Sequence, residues 1–338
     1  MRVKARVSNN IIGESANIVY VKQSVEKIAP LNGRCVIVGP TGSDKEIIAK
    51  EIHRLSTRAD GYFGVLNCQA YSAKQLEVEL FGVQINAENE PKIKPGIIEK
   101  TSDGTLFLDE IHALAPDLQL KLLKALKEES FCRVGSNVKI PFNVRLIAGV
   151  CSDIDQLLSS KSFSDELFCR LNANIIKLAP LSDRREDISH LLDYFMEQSA
   201  KAYHIAPRRF SNEALGILYA YQWPGDAMQL RNLVDWVLVN NMFQDSASVI
   251  SIEELPKEIM EGKTTGGGNS LQFFASISEL SIKEAREAFE KEYFTEQLKK
   301  FDGNISKTSK FVGMERSALH RKLKSLNITD SKNIKEEI

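Results

Sequence analysis

The sequence of 338 residues predicts an α/β fold: a parallel sheet with helices on both faces, followed by two helical regions. In its first half, short apolar segments alternate with longer amphipathic ones, which is the order that βαβ units produce. The apolar segments are nearly continuous, as expected of strands that are buried on both faces. They are CVIVG at 35–39, YFGVLNC at 62–68, TLFLDEI at 105–111 and VRLIAGV at 144–150.

Helical periodicity replaces the strand signals from about residue 182. Segments such as DISHLLDYFMEQ at 187–198 place apolar residues at helical spacing, which predicts a helical lid over 182–261. Residues 262–280 include three consecutive glycines and have the composition of a flexible linker. The domains expected are therefore an α/β domain at 1–181, this lid, the linker, and a separate helical domain at 281–338.

Composition limits the compartment and the partners. The formal net charge is -1, so any DNA-binding surface must be a local concentration of basic side chains. Five cysteines without C-x-x-C spacing argue against a disulfide framework or a zinc site, and favour a reducing cytoplasm. No apolar run approaches the length of a membrane span, and the N-terminus lacks the apolar core of a signal peptide. We expect a cytoplasmic protein without membrane contact.

Positive charge is concentrated in residues 302–326. A short helical pattern ending at Val312 and a second from about Arg316 to Leu326 flank Gly313, a residue suited to the turn between crossing helices. The segment contains only two acidic residues, Asp302 and Glu315. Its cations are Lys307, Lys310, Arg316, Arg321, Lys322 and Lys324.

This segment resembles the Fis-type helix-turn-helix in its Gly-Asn, its small-residue helix, its Gly-Met and its Arg-rich second helix. The resemblance implies binding to double-stranded DNA at promoters, with Arg316 and His320 reading base edges and the lysines and Arg321 contacting phosphates. The alternative is a basic, solvated helical hairpin with no role on DNA. The DNA-binding candidates are Lys307, Arg316, Ser317, His320, Arg321, Lys322 and Lys324.

An apolar stripe precedes the helix-turn-helix. In SIKEAREAFEKEYFTEQLKKF, Phe289 and Tyr293 belong to a set of apolar residues near helical spacing. Members of the Fis-type group dimerise through this region, so the resemblance implies a dimer interface here. The alternative is that the stripe packs only within its own domain.

A candidate phosphate-binding loop follows the first strand signal. GPTGSDKE at 39–46 is close to G-x-x-x-x-G-K-[ST], in which backbone N–H groups hold phosphates and the lysine binds the terminal ones. Asp44 replaces a glycine and adds a negative charge, so ATP binding is expected to be weakened. The candidates are Gly39, Pro40, Thr41, Gly42, Ser43, Asp44, Lys45 and Glu46.

Two acidic residues end the strand signal TLFLDEI. After a phosphate loop, Asp109 is placed to bind Mg²⁺ and Glu110 to activate the attacking water of a hydrolytic ATPase. An ordinary strand end could also read Asp-Glu. Its position after the loop favours the catalytic interpretation.

Almost the whole chain resembles the bacterial enhancer-binding activators of the nitrogen-type sigma factor, an AAA+ family. Four segments show it: IIGES at 11–15, ELFG at 79–82, GTLFLDEI at 104–111 and WPGD at 223–226. The resemblance implies an AAA+ P-loop sheet with a helical lid, ATP with Mg²⁺ as cofactor, and possible assembly into AAA+ oligomers. Glu46 matches this family, which ordinarily has glutamate there.

Several positions depart from the family pattern. Residues 83–96 read VQINAENEPKIKPG where the family has the loop that touches the sigma factor. The sensor asparagine is Cys151, the first of two arginines is Ser164, and the lid arginine is Met228, which leaves Arg170 to reach a neighbouring subunit's nucleotide. Because such cations can contribute orders of magnitude to the rate, slow hydrolysis or none is expected.

The ending GMERSALHRKLKSL is similar to that of the NtrX group of response regulators. No part of the sequence resembles their receiver domain, so a sensor kinase is expected as a partner only if such a domain lies upstream. We expect a sequence-specific transcription regulator of two-component type whose degenerate AAA+ domain serves assembly. Two alternatives stay open: an active ATPase that remodels transcription machinery through an altered loop, and an interaction scaffold without DNA affinity.

Overall fold

The computed structural model divides into two compact units, Met1–Thr264 and Thr265–Ile338. In the first unit the structure describes residues 10–85, 92–151, 154–240 and 249–260. In the second it describes residues 291, 294, 295, 298, 305–312, 314 and 316–326. The predicted linker at 262–280, the turn at Gly313 and the stripe residues Phe289 and Tyr293 lie outside the described residues.

The first unit contains a five-stranded parallel sheet whose strands lie in the order β2 (Phe63–Asn67), β5 (Thr105–Asp109), β8 (Arg145–Val150), β1 (Cys35–Val38) and β9 (Ile175–Lys177). Four of its strands match the four apolar segments of the sequence. The strands of this unit are β1 (Cys35–Val38), β2 (Phe63–Asn67), β3 (Gly82–Ile85), β4 (Lys92–Pro95), β5 (Thr105–Asp109), β6 (Ser130–Phe131), β7 (Ile140–Pro141), β8 (Arg145–Val150) and β9 (Ile175–Lys177).

Helices cover both faces of this sheet. The α-helices of the described part of the first unit are α1 (Ala16–Ile28), α2 (Lys45–Arg54), α3 (Ala73–Phe81), α4 (Ile97–Lys100), α5 (Pro116–Glu128), α6 (Ile154–Ser159), α7 (Asp165–Leu171), α8 (Asp187–Tyr203), α9 (Asn212–Ala220), α10 (Asp226–Asn240) and α11 (Lys257–Met260). Alternate residues of β1 enter two different cores. Cys35 and Ile37 pack with α1 and α2, whereas Val36 and Val38 pack with α3, α5 and α7. Burial on both faces explains the continuous apolar strand segments.

The lid consists of α8, α9, α10 and α11 and has a hydrophobic core of its own. Trp223 is buried in it, and its indole N–H donates to the Leu218 carbonyl at 2.9 Å. The predicted region of helical periodicity therefore folds as helices over 187–240 and 257–260.

Residues 82–85 and 92–95 form two strands that the sequence did not predict. β3 and β4 pair as an antiparallel hairpin, with Gln84 opposite Ile93. A backbone hydrogen bond joins β3 to the segment between β6 and β7: the Gln84 N–H donates to the Val134 carbonyl at 2.8 Å. The segment that departs from the family pattern thus begins and ends in short strands, which lack the continuous apolar run that marks the buried strands of the main sheet.

The described part of the second unit contains α12 (Ile305–Val312) and α13 (Arg316–Ser325). Leu319 and Leu323, one turn apart on α13, are buried together with Phe294 and Leu326. The two helix bounds confirm the predicted helices on either side of residue 313. No helix among the described residues is long and apolar enough to span a bilayer.

Arg145 is a charged residue at the start of the buried strand β8, and it fixes the end of α1. Its side chain is 2 % exposed and donates to the carbonyls of Ala29 at 2.7 Å and Ile28 at 2.9 Å. These carbonyls lie at the C-terminus of α1, where helical partners are absent and a cation is favoured. Burial lowers the pKa of the Arg145 guanidinium from its ordinary value. The buried strand accommodates this charge because the guanidinium donates to the carbonyls at the C-terminus of α1.

We expect Arg145→Met to lower the free energy of unfolding by roughly 3 kcal/mol, because the Ala29 carbonyl loses its charged donor and the Ile28 carbonyl retains the Leu31 N–H but loses the guanidinium. Denaturant unfolding followed by circular dichroism measures this change. The matched control is Arg58→Met, whose guanidinium bonds Asn143 at a partly exposed position. That variant should cost less than about 1 kcal/mol. Equal losses in the two variants would contradict the importance of burial at Arg145.

Candidate functional site

The phosphate loop connects β1 to the start of α2, at the carboxyl edge of the sheet. Gly42 adopts a φ of +81° and Asp44 a φ of +62°. Asp44 is also the N-cap of α2, and its side chain makes no capping hydrogen bond. The loop of residues 39–46 therefore runs into the first turn of α2, and the N–H groups of a helix N-terminus suit an anion. The glycine-to-aspartate departure lies at a backbone position that favours glycine.

Lys45 is buried at the first position of α2, with 3 % of its surface exposed. Its ammonium donates to the Gly39 carbonyl at 3.2 Å and the Pro40 carbonyl at 3.0 Å. It also donates to Glu110 Oε1 at 3.0 Å and lies 3.8 Å from Asp109 Oδ1. The loop lysine is thus compensated by the two acidic residues at the end of β5.

Glu110 is almost fully buried and faces the phosphate loop. Its Oε1 accepts from Lys45 and, at 3.2 Å, from the Thr41 hydroxyl. Its Oε2 has no hydrogen-bond partner among the described residues and lies 3.5 Å from His112 Nδ1. The structure therefore brings the predicted water-activating carboxylate and the predicted phosphate-binding lysine into direct contact.

Asp109 ends β5 beside Glu110, with its carboxylate packed against the neighbouring strand. A Cβ at Gly149 of β8 would collide with Asp109 Oδ1, so the glycine leaves room for this carboxylate. Burial raises the pKa of Asp109, and the nearby Lys45 ammonium opposes that shift. A carboxylate beside the phosphate loop is the ligand type that Mg²⁺ prefers, so the position fits the predicted metal role.

The lid contacts the phosphate loop directly. The Met228 N–H, in the first turn of α10, donates to the Gly42 carbonyl at 3.0 Å. A Cβ at Gly42 would lie 2.6 Å from the Gly225 carbonyl, so this approach requires glycine. The Met228 side chain is 53 % exposed and supplies no charge where the family pattern has arginine.

A buried ion pair fixes this part of the lid. Arg184 donates to Asp226 Oδ1 at 3.0 Å, and Asp226 Oδ2 accepts from the Leu181 N–H at 2.8 Å. Both side chains are at most 3 % exposed. Because Asp226 already neutralises Arg184, this arginine is a poor substitute for the missing lid cation.

The Asp44 carboxylate is directed toward these lid charges. Burial raises the pKa of Asp44 to about 6, while the cations of Arg184 and Arg231 act in the opposite direction. Asp226 and Glu46 reinforce the shift. Asp44 therefore changes its charge close to neutral pH, inside the candidate nucleotide site.

An open pocket lies beside the loop. Its walls are mainly apolar, as a site for a flat aromatic base requires, and its polar lining includes Asp44 and Arg184. One wall belongs to the α/β domain and the other to α8 of the lid. The apolar lining residues are Ile11, Ile12, Ile18, Ile47, Ile48, Leu178, Leu191, Tyr194 and Phe195.

Three further positions of the predicted site lie on or next to α7 and at the end of β8. Ser164 caps α7, because its hydroxyl accepts from the Leu167 N–H at 3.3 Å. Arg170, also on α7, is exposed, and its guanidinium lies 3.5 Å from the Leu126 carbonyl. Cys151 follows β8 and is half-buried. Arg170 is thus exposed as a contact to a neighbouring subunit would require, while Ser164 has a local structural role.

The basic helix of the second unit exposes most of its predicted DNA contacts. Arg316 and His320, one turn apart on α13, are both exposed, as are Ser317 and Arg321. Arg321 lies opposite the buried Leu319 and Leu323 in the helical period, whereas Arg316, in the first turn of α13, lies on their side of the helix and is nevertheless exposed. Lys307 on α12 is exposed and Lys322 is half-buried, and the side chain of Lys324 lies outside the described residues.

Three family models cover most of the chain. The Sigma-54 interaction domain matches residues 11–177, the AAA+ ATPase lid domain 182–271, and the Bacterial regulatory protein, Fis family, 285–326. The nitrogen assimilation regulatory protein NtrX of Azorhizobium caulinodans is 38 % identical over 320 residues, which cover 95 % of this chain and 69 % of that protein. The chain belongs to the NtrX-like family of sigma-54 interaction-domain regulators. It is therefore a transcriptional regulator with a Fis-type helix-turn-helix.

Further NtrX relatives agree with this assignment. An NtrX-like response regulator of Rickettsia felis is 35 % identical over all of this chain and 71 % of its own length. The crystal structure of NtrX from Brucella abortus in complex with ADP has a TM-score of 0.69 and 37 % identity, covering 93 % of this chain and 68 % of that one. The same protein in complex with ATP gives the same TM-score and identity. The AAA+ sheet, lid and Fis-type domain predicted for the chain are confirmed.

Sequence reasoning missed three charged residues beside the site. Arg184 and Asp226 form the buried pair of the lid, and Asp187 binds the backbone of the IIGES motif. The run SDRREDIS at 182–189 offered a weak signal, because it places charges at the start of a predicted helix. Their partners lie 42 to 173 residues away in the sequence, beyond the reach of local patterns.

We expect the ATP affinity of the parent to approach that of Asp44→Asn as the pH falls. At pH 8 the Asp44 carboxylate is charged and repels phosphate, so the parent should bind about tenfold more weakly than the variant, an effect of ~1.4 kcal/mol. Below a pKa of about 6 the carboxyl gains a proton, and the difference should shrink. Calorimetry from pH 8 to pH 5.5 measures both proteins, and protonation of ATP itself cancels in the ratio.

Asp44→Gly is the companion variant for this loop. It removes the charge together with the Cβ at a positive φ, so it should bind ATP more tightly than the parent at pH 8. If Asp44→Gly binds no better than the parent, the account of this loop is wrong.

Proposed function

We propose that this transcriptional regulator binds specific DNA through α13 and uses its AAA+ module to bind ATP weakly as an aid to assembly, without remodelling the sigma factor. Self-association would involve a dimer of the C-terminal domain, which a larger AAA+ oligomer could include. Two-component control through a sensor kinase would require a receiver domain upstream.

The observation behind this proposal is the internal compensation of the phosphate loop. Lys45 is bound by Glu110 and two loop carbonyls, so ATP must compete with a buried carboxylate for its principal cation. The position where the family has a lid arginine is Met228, and Arg184 is neutralised by Asp226. Few uncompensated cations are left to stabilise charge in a phosphoryl-transfer transition state.

Nucleotide binding itself has support from geometry and from relatives. The loop, the apolar pocket and Asp109 lie together at the edge of the sheet, where α/β proteins bind phosphorylated ligands. NtrX of Brucella abortus was crystallised with ADP and with ATP. We infer that ATP with Mg²⁺ is the ligand of this chain, with phosphates at residues 39–46 and the metal ion at Asp109.

A second candidate function is an active ATPase that remodels transcription machinery through the β3–β4 hairpin. Lys45, Asp109, Glu110 and Arg170 are all present, and the hairpin exposes Ile85 on one strand. Hydrolysis distinguishes this function from the proposed one, because remodelling requires turnover whereas assembly requires only binding.

We expect the full chain to hydrolyse ATP no more than about threefold faster than Glu110→Gln. The same substitution should tighten ATP binding, because it removes the anion that holds Lys45. Steady-state phosphate release and calorimetry measure the two effects. A parent rate hundreds of times that of Glu110→Gln would support the remodelling ATPase instead.

For DNA recognition we expect Arg316→Ala to weaken a cognate site by roughly 1–3 kcal/mol and to flatten sequence preference, because a guanidinium that reads guanine is lost. The matched control is Arg321→Ala on the same helix, which should weaken cognate and random duplexes alike and reduce the salt slope by about one ion. Competitive binding across a salt series, on a site selected from random duplexes, measures both. Full discrimination by Arg316→Ala would contradict the assigned recognition helix.

A further inference from the structure

Asp187 joins the lid to the IIGES motif through two hydrogen bonds. It is the first residue of α8 and is fully buried. Its Oδ1 accepts from the Glu14 N–H at 2.7 Å and from the Ser15 N–H at 2.8 Å. Its Oδ2 is buried with no hydrogen-bond partner in the described part of the chain. A buried carboxylate in this position is costly, so its contacts must contribute to the fold or to the site.

The backbone that Asp187 binds is shaped to receive it. Ser15 caps α1, with its hydroxyl accepting from the Ile18 N–H at 3.2 Å, so the two N–H groups lie at a helix start that favours an anion. Gly13 has a φ of +124°, and a Cβ there would lie 2.6 Å from Asp187 Oδ1. Close approach of the motif to the carboxylate therefore depends on glycine at this position.

These hydrogen bonds also fix the two walls of the pocket. Leu191, Tyr194 and Phe195 follow Asp187 by four, seven and eight residues, so they lie on the same face of α8. They line the pocket together with Ile11 and Ile12, which immediately precede Gly13, and Ile12 packs against the same lid core. The anchoring carboxylate and the lid lining thus share one helix face, and the anchored N–H groups and the lining residues Ile11 and Ile12 share one short segment.

We propose that Asp187 is a positioning residue for the base-binding half of the nucleotide pocket. It holds the lid wall and the IIGES wall at the spacing that a flat heteroaromatic base needs, and it contacts neither the base nor the phosphates. The proposal rests on the nucleotide binding proposed above. A fixed spacing matters because small displacements of pocket walls remove much of the contact energy of a planar ligand.

The test compares ATP with inorganic tripolyphosphate, which has the same phosphate chain without base or ribose. In the parent, ATP should bind more tightly than tripolyphosphate. In Asp187→Ala, ATP binding should weaken roughly tenfold while tripolyphosphate binding stays within about twofold, since only the base pocket is disturbed. Asp187→Asn keeps an acceptor oxygen and should restore the parent's ratio. Asp193→Asn, an exposed position on the same helix, is the matched control.

Each outcome decides the proposal. A purely structural role would weaken both ligands together and lower the Tm of Asp187→Ala, leaving the affinity ratio unchanged. An unchanged ratio in a well-folded variant, or equal affinities of the parent for the two ligands, would overturn the positioning role but not nucleotide binding. A parent that binds neither ligand would overturn the proposed nucleotide function, and the role of Asp187 with it.

Discussion

The arrangement of the nucleotide site depends on the buried ammonium group of Lys45. A charge that is 3 % exposed must have a partner, because the cost of leaving it unpaired in the interior is several kcal/mol. Two loop carbonyls and Glu110 provide that compensation here. This explains why the loop folds tightly around its own lysine and why Glu110 turns toward it. A phosphate chain that enters the site must take over the same role, so the affinity for ATP is a difference between two ways of neutralising one cation.

Much of this architecture can be predicted from residues that are close together in the sequence. Burial of both faces makes β1, β2, β5 and β8 continuously apolar, and turn and cation signals define α12 and α13. The phosphate loop and the Asp109–Glu110 end of β5 are also consecutive residues. The bonds of Arg184 to Asp226 and of Asp187 to Glu14 join distant parts of the chain and leave no such pattern. The strands β3 and β4 escaped prediction because they are largely exposed or half-buried and include polar residues, whereas the equally short β1 is buried and continuously apolar.

The two units have different energetic requirements. In the proposed recognition helix Arg316, His320 and Arg321 are exposed, whereas Leu319 and Leu323 form part of a small core. In the candidate nucleotide site, by contrast, Lys45 and Glu110 are buried and paired with each other. Because the two sites share no residues, changes at the phosphate loop need not alter the proposed recognition helix. Retention of one activity therefore does not, on physical grounds, require retention of the other.

The departures around the phosphate loop act in one electrostatic direction. Met228 removes a cation from the lid, Asp44 adds an anion below it, and Asp226 already neutralises Arg184. The field at the phosphates is therefore less positive than the loop sequence alone would suggest. The pocket beside the loop has mainly apolar walls, although Asp44 and Arg184 also line it. A larger share of the binding free energy must then come from the base and its contacts, which makes the spacing between α8 and the IIGES motif more important here than in a site rich in cations.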